Sequence, residues 1–101
     1  MGWAAFAIEG LARGETVKIK PHGNSMRGKV DDGDTVTLDP ADPSRLRVGD
    51  VVLVRVKGNI LLHLIKAIDR ERFLIGNNRG GINGWVGRHC IYGVATNVES
   101  K

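Results

Sequence analysis

A serine in a short loop, Ser25, is the first residue of this sequence that could do covalent chemistry. It follows a strand-like stretch at 16–20 and the turn residue Pro21, and it stands two residues after Gly23. Such a loop can present a hydroxyl and the neighbouring backbone N–H groups to one point in space. A serine hydroxyl is a weak nucleophile, so a base must lie within hydrogen-bond reach. Taken alone, Gly23-Asn24-Ser25 is also an ordinary turn composition.

Two candidate bases, His63 and Lys66, lie in the apolar segment 60–68. Their separation of three residues puts them on opposite faces of a regular strand, so only one of them can meet Ser25. Without a further pattern, a histidine in an apolar strand is more often a packed residue that is hydrogen-bonded to backbone. We expect His22 and His89 to be surface residues.

The elements that must position these residues are one helix and six or seven short strands. Apolar residues recur at helical spacing over 2–13, and Gly14 suits the C-terminal cap. A glycine- and asparagine-rich loop at 76–84 leads to Trp85-Val86. We expect Trp85 to be a core or barrel-closing aromatic residue and Cys90 to be a small core hydrophobe. The strand-like segments are 16–20, 35–39, 51–56, 60–68, 72–76 and about 90–98.

These elements predict one domain over residues 1–101, with a helix at about 2–13 and a β body at about 16–98. The fold class is mainly β, as a coiled sheet or partly open barrel with one short N-terminal helix. A length of 101 residues is enough for a single core. The apolar stripe of the helix is typical of core or of a dimer face, so homodimerisation stays open.

Composition excludes several classes of site. A single cysteine cannot form an internal disulfide, and with only three histidines a four-ligand zinc site is not expected. No metal or cofactor is therefore predicted. No apolar run reaches the ~18–20 residues of a membrane span, and the N-terminus lacks the features of a signal peptide. We expect a cytoplasmic protein.

Charge is distributed unevenly along the chain. The formal net charge is +4, but residues 31–50 hold six acids against two arginines, and the remainder has 13 bases against five acids. A basic balance permits nucleic-acid binding. However, the bases are scattered singly and only five aromatic residues are available to stack on bases, so a nucleic-acid partner is not favoured.

Four sequence boxes, taken in order, resemble the LexA repressor and type I signal peptidase superfamily. The family's first box runs Gly-x-Ser-Met-x-Pro, followed by an aliphatic residue and Gly-Asp. Here Val30 takes the aliphatic position, and Gly28 replaces the proline. The matching segments span about 16–98 and are Gly23–Met26 with Gly33-Asp34, Gly49-Asp50, Leu62–Ile65, and Gly76–Arg79 with Gly84–Val86 and Ile91–Val94.

The resemblance implies a serine peptidase that acts on a polypeptide. Ser25 would be the nucleophile, and His63 would stand where the family has its general base, which is lysine in most bacterial members and histidine in others. Histidine is the easier base near neutrality, because the pKa of a lysine must first be lowered by several units before it can accept a proton there. The backbone N–H groups of Asn24 and Ser25 are the natural oxyanion hole. The last of the four boxes begins with Gly76–Arg79, which we call the closing box. Its residues Asn77, Asn78 and Arg79 would support the site.

Departures from the family pattern leave other functions open. Asn77 stands where the family's signal peptidases have an aspartate, and their following serine and aspartate are missing. Without the proline, the turn after Ser25 is expected to be less rigid. The chain shows no anchoring helices, no preceding DNA-binding domain and no Ala-Gly bond, which disfavours both signal-peptide processing and repressor self-cleavage. The alternatives are a catalytically idle protein that binds a peptide or partner subunit and, less favoured, a basic nucleic-acid-binding barrel.

Overall fold

The computed structural model describes residues 3–21, 26 and 28–100, with Trp3 as backbone only. The α-helix found within these residues, α1, covers Trp3–Ala12 and agrees with the predicted helix. Gly14, at φ +81°, ends it: its N–H donates to the Leu11 carbonyl (3.0 Å), and the Glu15 N–H donates to the Gly10 carbonyl (2.9 Å). The strands are β1 Val17–Ile19, β2 Thr35–Pro40, β3 Val51–Val56, β4 Asn59–Asp69, β5 Arg72–Gly76, β6 Ile82–Gly87 and β7 Ile91–Glu99.

The seven strands form one antiparallel sheet in the order β1-β2-β7-β3-β4-β5-β6. Two-residue connections join β3 to β4 and β4 to β5, so the central hairpins are tight. Short 3-10 turns at Pro43–Arg45 and Arg88–Cys90 precede β3 and β7. The sheet stays open between β1 and β6, which confirms the expected mainly β fold as a coiled sheet rather than a closed barrel.

Both faces of β3 are buried, and each face has its own apolar cluster. Leu53 belongs to the first cluster, which α1 and the chain before β2 cover through Leu11 and Met26. Val52 and Val54 belong to the second cluster, which the coiled end of the sheet encloses. This arrangement explains the apolar run Val51–Val54 of β3, because alternating residues enter different cores.

The segment of β6 departs from the sequence prediction, whereas β5 and β7 lie where it placed them. Strand β6 begins at Ile82, inside the predicted 76–84 loop. Of the two roles predicted for Trp85, the core position was wrong, because the residue is 42% exposed. Val86 takes the inward position beside Phe73, and Trp85 pairs with Leu74 on the opposite face. Helix α1 packs mainly on β1, β2 and β7, at the end of the sheet away from β6.

The residues Cys90 and His89 lie in the short turn before β7. Cys90 is half-buried and packs against the second cluster, and His89 is exposed as expected. Within the described residues, no helix has the length and apolar character needed to cross a membrane.

Gly76→Ala is expected to destabilise the fold by about 1–3 kcal/mol, because a new methyl group there meets fixed backbone. A Cβ on Gly76 would collide with the Gly81 carbonyl oxygen. The matched control is Gly87→Ala, where the nearest atoms, at 3.0 Å, belong to the exposed His89 ring, which can turn away. Thermal unfolding measures both variants, and equal melting temperatures for the two would contradict this account of Gly76.

Asp39→Asn is expected to reduce the acid sensitivity of the fold. The hydroxyls of Thr16 and Thr96 donate to the two carboxylate oxygens of Asp39, and these bonds lower its pKa from the ordinary value of 3.8. A lowered pKa contributes stability that is fully present above the unfolded value and is lost as pH falls through the folded value. The free energy of unfolding of the wild type should therefore exceed that of the variant at neutral pH, and the two values should converge in acid.

Chemical denaturation at pH 7 and at about pH 3 measures this difference. Asp69→Asn is the control, since that exposed carboxylate makes no side-chain hydrogen bond to any described residue. A gap between wild type and Asp39→Asn that is the same at both pH values would refute the role of Asp39.

Candidate functional site

His63 is a buried polar residue near the middle of β4. Its residue is 7% exposed, and it pairs across the sheet with Val52 of β3. The ring atom Nδ1 lies 2.8 Å from Oδ1 of Asn83. Because an amide oxygen can only accept, Nδ1 carries the hydrogen of this bond, and the lone pair of the neutral ring lies on Nε2. The histidine is thus held in one tautomer and one orientation.

Asn83, which holds that ring, was missed by the sequence analysis. It lies on β6, two strands away from β4 in the sheet. Gly76 pairs with Ile82 and Ile75 pairs with Gly84, so Asn83 is the extra residue at a register shift. Such a bulge turns a side chain away from the regular alternation. An amide side chain within Ile82-Asn-Gly-Trp85 was the available signal, but the segment had been assigned to a loop.

Asn77 builds the loop between β5 and β6. Its side-chain oxygen accepts the N–H groups of Arg79 and Gly81, both at 2.8 Å. Its own N–H donates to the Gly81 carbonyl oxygen at 3.0 Å. The residue that replaces the expected aspartate therefore closes a turn, and Asn83 is the residue that accepts the hydrogen bond from the imidazole N–H. Arg79 is exposed.

Lys66, the other candidate base, lies at a bulge in β4. The β4–β5 register shifts between Ile65 and Ala67, so the strict alternation that separated Lys66 from His63 does not hold across this point. The aliphatic part of Lys66 lies over Gly76, where an added Cβ would be 3.0 Å from its Cγ and Cε. Lys66 is placed by this contact over β5.

Ser25 and Asn24 lie outside the described residues, together with His22, Gly23 and Arg27. The predicted approach of Ser25 to His63 therefore stays a prediction. Pro21, Met26 and Gly28, which flank these residues, are described. Met26 is buried in the first cluster and, with Pro21 and Leu62, lines a small cleft. Leu62 directly precedes His63.

Gly28 connects the same loop to the closing box. A Cβ placed on Gly28 would lie 3.3 Å from Nδ2 of Asn78. Asn78 thus lies beside the described end of the loop that contains Ser25. On one side of the loop, Met26 lies beside Leu62, the residue before His63. On the other side, Gly28 lies beside Asn78 of the closing box.

Hydrogen bonds to two aspartates hold the turn that follows Ser25. The Gly28 N–H donates to Asp31 Oδ1 (3.0 Å), and the Asp31 N–H donates to Oδ2 of the buried Asp34 (2.9 Å). Gly28 has φ +97°, a value that the proline ring forbids, and proline has no N–H to donate. Gly28 therefore gives this turn a backbone conformation that a proline could not give it. The two carboxylates offset the loss of rigidity that was expected without the proline.

Comparison with known proteins supports the sequence resemblance. The sequence model of a family described as Peptidase S24-like matches residues 6–82, which is more than half of the chain. No curated protein matches the chain. The matched range includes the loop of Ser25, the strand of His63 and the closing box, and it ends one residue before Asn83. On these grounds, the chain belongs to the Peptidase S24-like family.

Proposed function

We propose that this protein is a serine peptidase in which Ser25 attacks the peptide bond, His63 is the general base and Asn83 positions the imidazole. The observation that carries the proposal is the partly buried 2.8 Å contact between His63 Nδ1 and Asn83 Oδ1 in a chain of the Peptidase S24-like family. Catalytic bases are commonly oriented by a third group in this way.

The reaction requires one proton to move in and out of the imidazole. Nε2 of His63 takes the hydroxyl proton of Ser25 as its oxygen bonds to the carbonyl carbon of the substrate. The imidazolium then gives that proton to the leaving amine as the C–N bond breaks, leaving an acyl-serine. Water, deprotonated by the same nitrogen, releases the acid and restores the Ser25 hydroxyl.

The oxyanion formed in each addition needs donors that are already in position. We assign this role to the backbone N–H groups of Asn24 and Ser25, as the sequence analysis predicts; loss of one such donor typically costs about 10²–10³ in rate. Support for the loop comes from its flanks, because Met26 is packed beside Leu62 and Gly28 is held by Asp31. Asn77, Asn78 and Arg79 support the site through the loop that they build.

The substrate is a polypeptide, and an extended segment of it would pair with a free edge of the sheet. Strands β1 and β6 are the two edges, and among the described residues neither has a partner strand on its outer side. Strand β1 leads directly into the loop of Ser25. A peptide on that edge would reach the serine without crossing the sheet.

A second candidate function is peptide or partner binding without catalysis. It is favoured by one feature of the site, namely that an amide and not a carboxylate faces His63. An amide oxygen orients the imidazole but gives the imidazolium less electrostatic stabilisation than a carboxylate does. The two functions share the fold and differ in whether Ser25 is consumed and regenerated.

Peptide-library digestion read by mass spectrometry tests the first proposal. We expect wild type to cut and Ser25→Ala and His63→Ala not to cut, since each variant lacks one half of the dyad. His89→Ala is the matched control, because His89 is exposed on a short turn and should leave cleavage intact. Lys66→Met should also retain activity.

Cuts that persist in Ser25→Ala would overturn the serine mechanism. If His63→Ala cuts and Lys66→Met does not, Lys66 is the base. If wild type binds peptides from the library and leaves them uncut, the binding function is the correct one.

The role of Asn83 can be tested separately in an active preparation. Asn83→Leu should lower kcat by about 10²–10⁴-fold with little change in KM, because the imidazole loses its fixed tautomer. Asn83→Asp should retain activity and move the acid limb of the pH–rate profile to higher pH, since a carboxylate favours the protonated imidazole.

A melting curve is the control for folding of both Asn83 variants. If Asn83→Leu is folded and fully active, Asn83 has no positioning role.

A further inference from the structure

A cleft of about 390 Å³ opens at the end of the sheet where β4 turns into β5. Its apolar wall consists of Leu46, Ile68 and Phe73, and Arg70, Glu71 and Arg88 are the charged residues around it. The volume lies within the usual range for small-molecule sites, ~300–1,000 Å³. Ile68 is five residues from His63, about 16 Å along a strand, so this cleft is separate from the candidate catalytic site.

Arg70 occupies an unfavourable backbone position at the mouth of the cleft. It is the first residue of the two-residue connection between the paired residues Asp69 and Arg72, and its φ is +58°. Two-residue hairpins require a positive φ at this position, which glycine, asparagine and aspartate adopt most readily. An arginine here is retained at a cost in stability, as is common at functional positions.

The guanidinium of Arg70 has no counter-ion in the part of the chain that is described. Its side chain forms no hydrogen bond or ion pair there, although it is a strong bidentate donor. The other arginine of the cleft, Arg88, is paired with Glu71 at 3.2 Å. The cleft therefore has one compensated and one uncompensated cation beside an apolar wall.

We propose that this cleft binds a carboxylate attached to an apolar body, with the carboxylate on Arg70 and the body against Leu46, Ile68 and Phe73. Arg–carboxylate contacts are frequently bidentate, and an adjacent apolar wall suits an aryl or alkyl group. The carboxylate can be that of a free small acid or the C-terminus of a peptide, since both present the same chemistry. Neither the catalytic proposal nor the family membership assigns a ligand to this cleft.

Isothermal titration of the wild-type protein with two pairs of probes tests the proposal. One pair is 3-phenylpropionate and its neutral amide, and the other is Gly-Gly-Phe with a free or an amidated C-terminus. We expect each bound acid to exceed its amide by at least about tenfold in affinity, because the amide lacks the charge. Binding of the free acid alone or of the peptide alone identifies the source of the carboxylate and supports the site.

Arg70→Gly supplies the decisive variant, because it should change stability and binding in opposite senses. We expect the melting temperature to rise, as glycine relieves the positive φ, and the affinity for the acids to fall by at least about tenfold. Lys57→Gly is the matched control: Lys57 also has a positive φ, +50°, in the β3–β4 connection, so its melting temperature should rise with binding unchanged.

Glu71→Gln should strengthen acid binding, because it releases Arg88 from its ion pair. The proposal is overturned if no acid binds, if acids and amides bind equally, or if Arg70→Gly leaves the affinity unchanged.

Discussion

The double burial of β3 is the constraint on which the rest of this structure depends. Val52, Leu53 and Val54 are fully buried, so neither face of the strand can meet water. One sheet can satisfy this only if another layer covers one face and the sheet coils over the other. Helix α1 and the chain before β2 supply the first cover, and the bend through β4, β5 and β6 supplies the second.

The same coiling creates the environment of His63. This residue pairs with Val52, so it lies on the face that the coil encloses, and a polar ring there needs a hydrogen-bond partner. Asn83 provides one from β6, which the bend brings within reach. A bulge in β6 aims the Asn83 side chain, and a bulge in β4 places Lys66 over Gly76. Irregularities in the ladders, rather than regular pairing, thus define the polar part of the site.

The loop of Ser25 shows a comparable replacement of one device by another. Where the family pattern has a proline after the serine, this chain has Gly28 in a backbone conformation that proline cannot adopt. Hydrogen bonds to the side chains of Asp31 and Asp34 stabilise the turn. Where that family's signal peptidases have an aspartate in the closing box, Asn77 closes a turn with its side-chain oxygen. In both places the turn keeps its hydrogen bonds. The side chains that make these bonds differ from those of the family pattern.

Sequence patterns alone determined the helix, the positions of every strand except β6 and the mainly β class, because helical spacing, glycine caps and two-residue turns are local properties. They also identified His63 as a candidate base, through its place in an ordered set of boxes. Only the tertiary structure decided that Asn83 is its partner, that Asn77 is not, and that Trp85 is exposed. These outcomes depend on strand register, on two bulges and on which strands the helix covers. Such features arise from contacts between distant segments, and a one-residue shift in a ladder exchanges the inward and outward side chains.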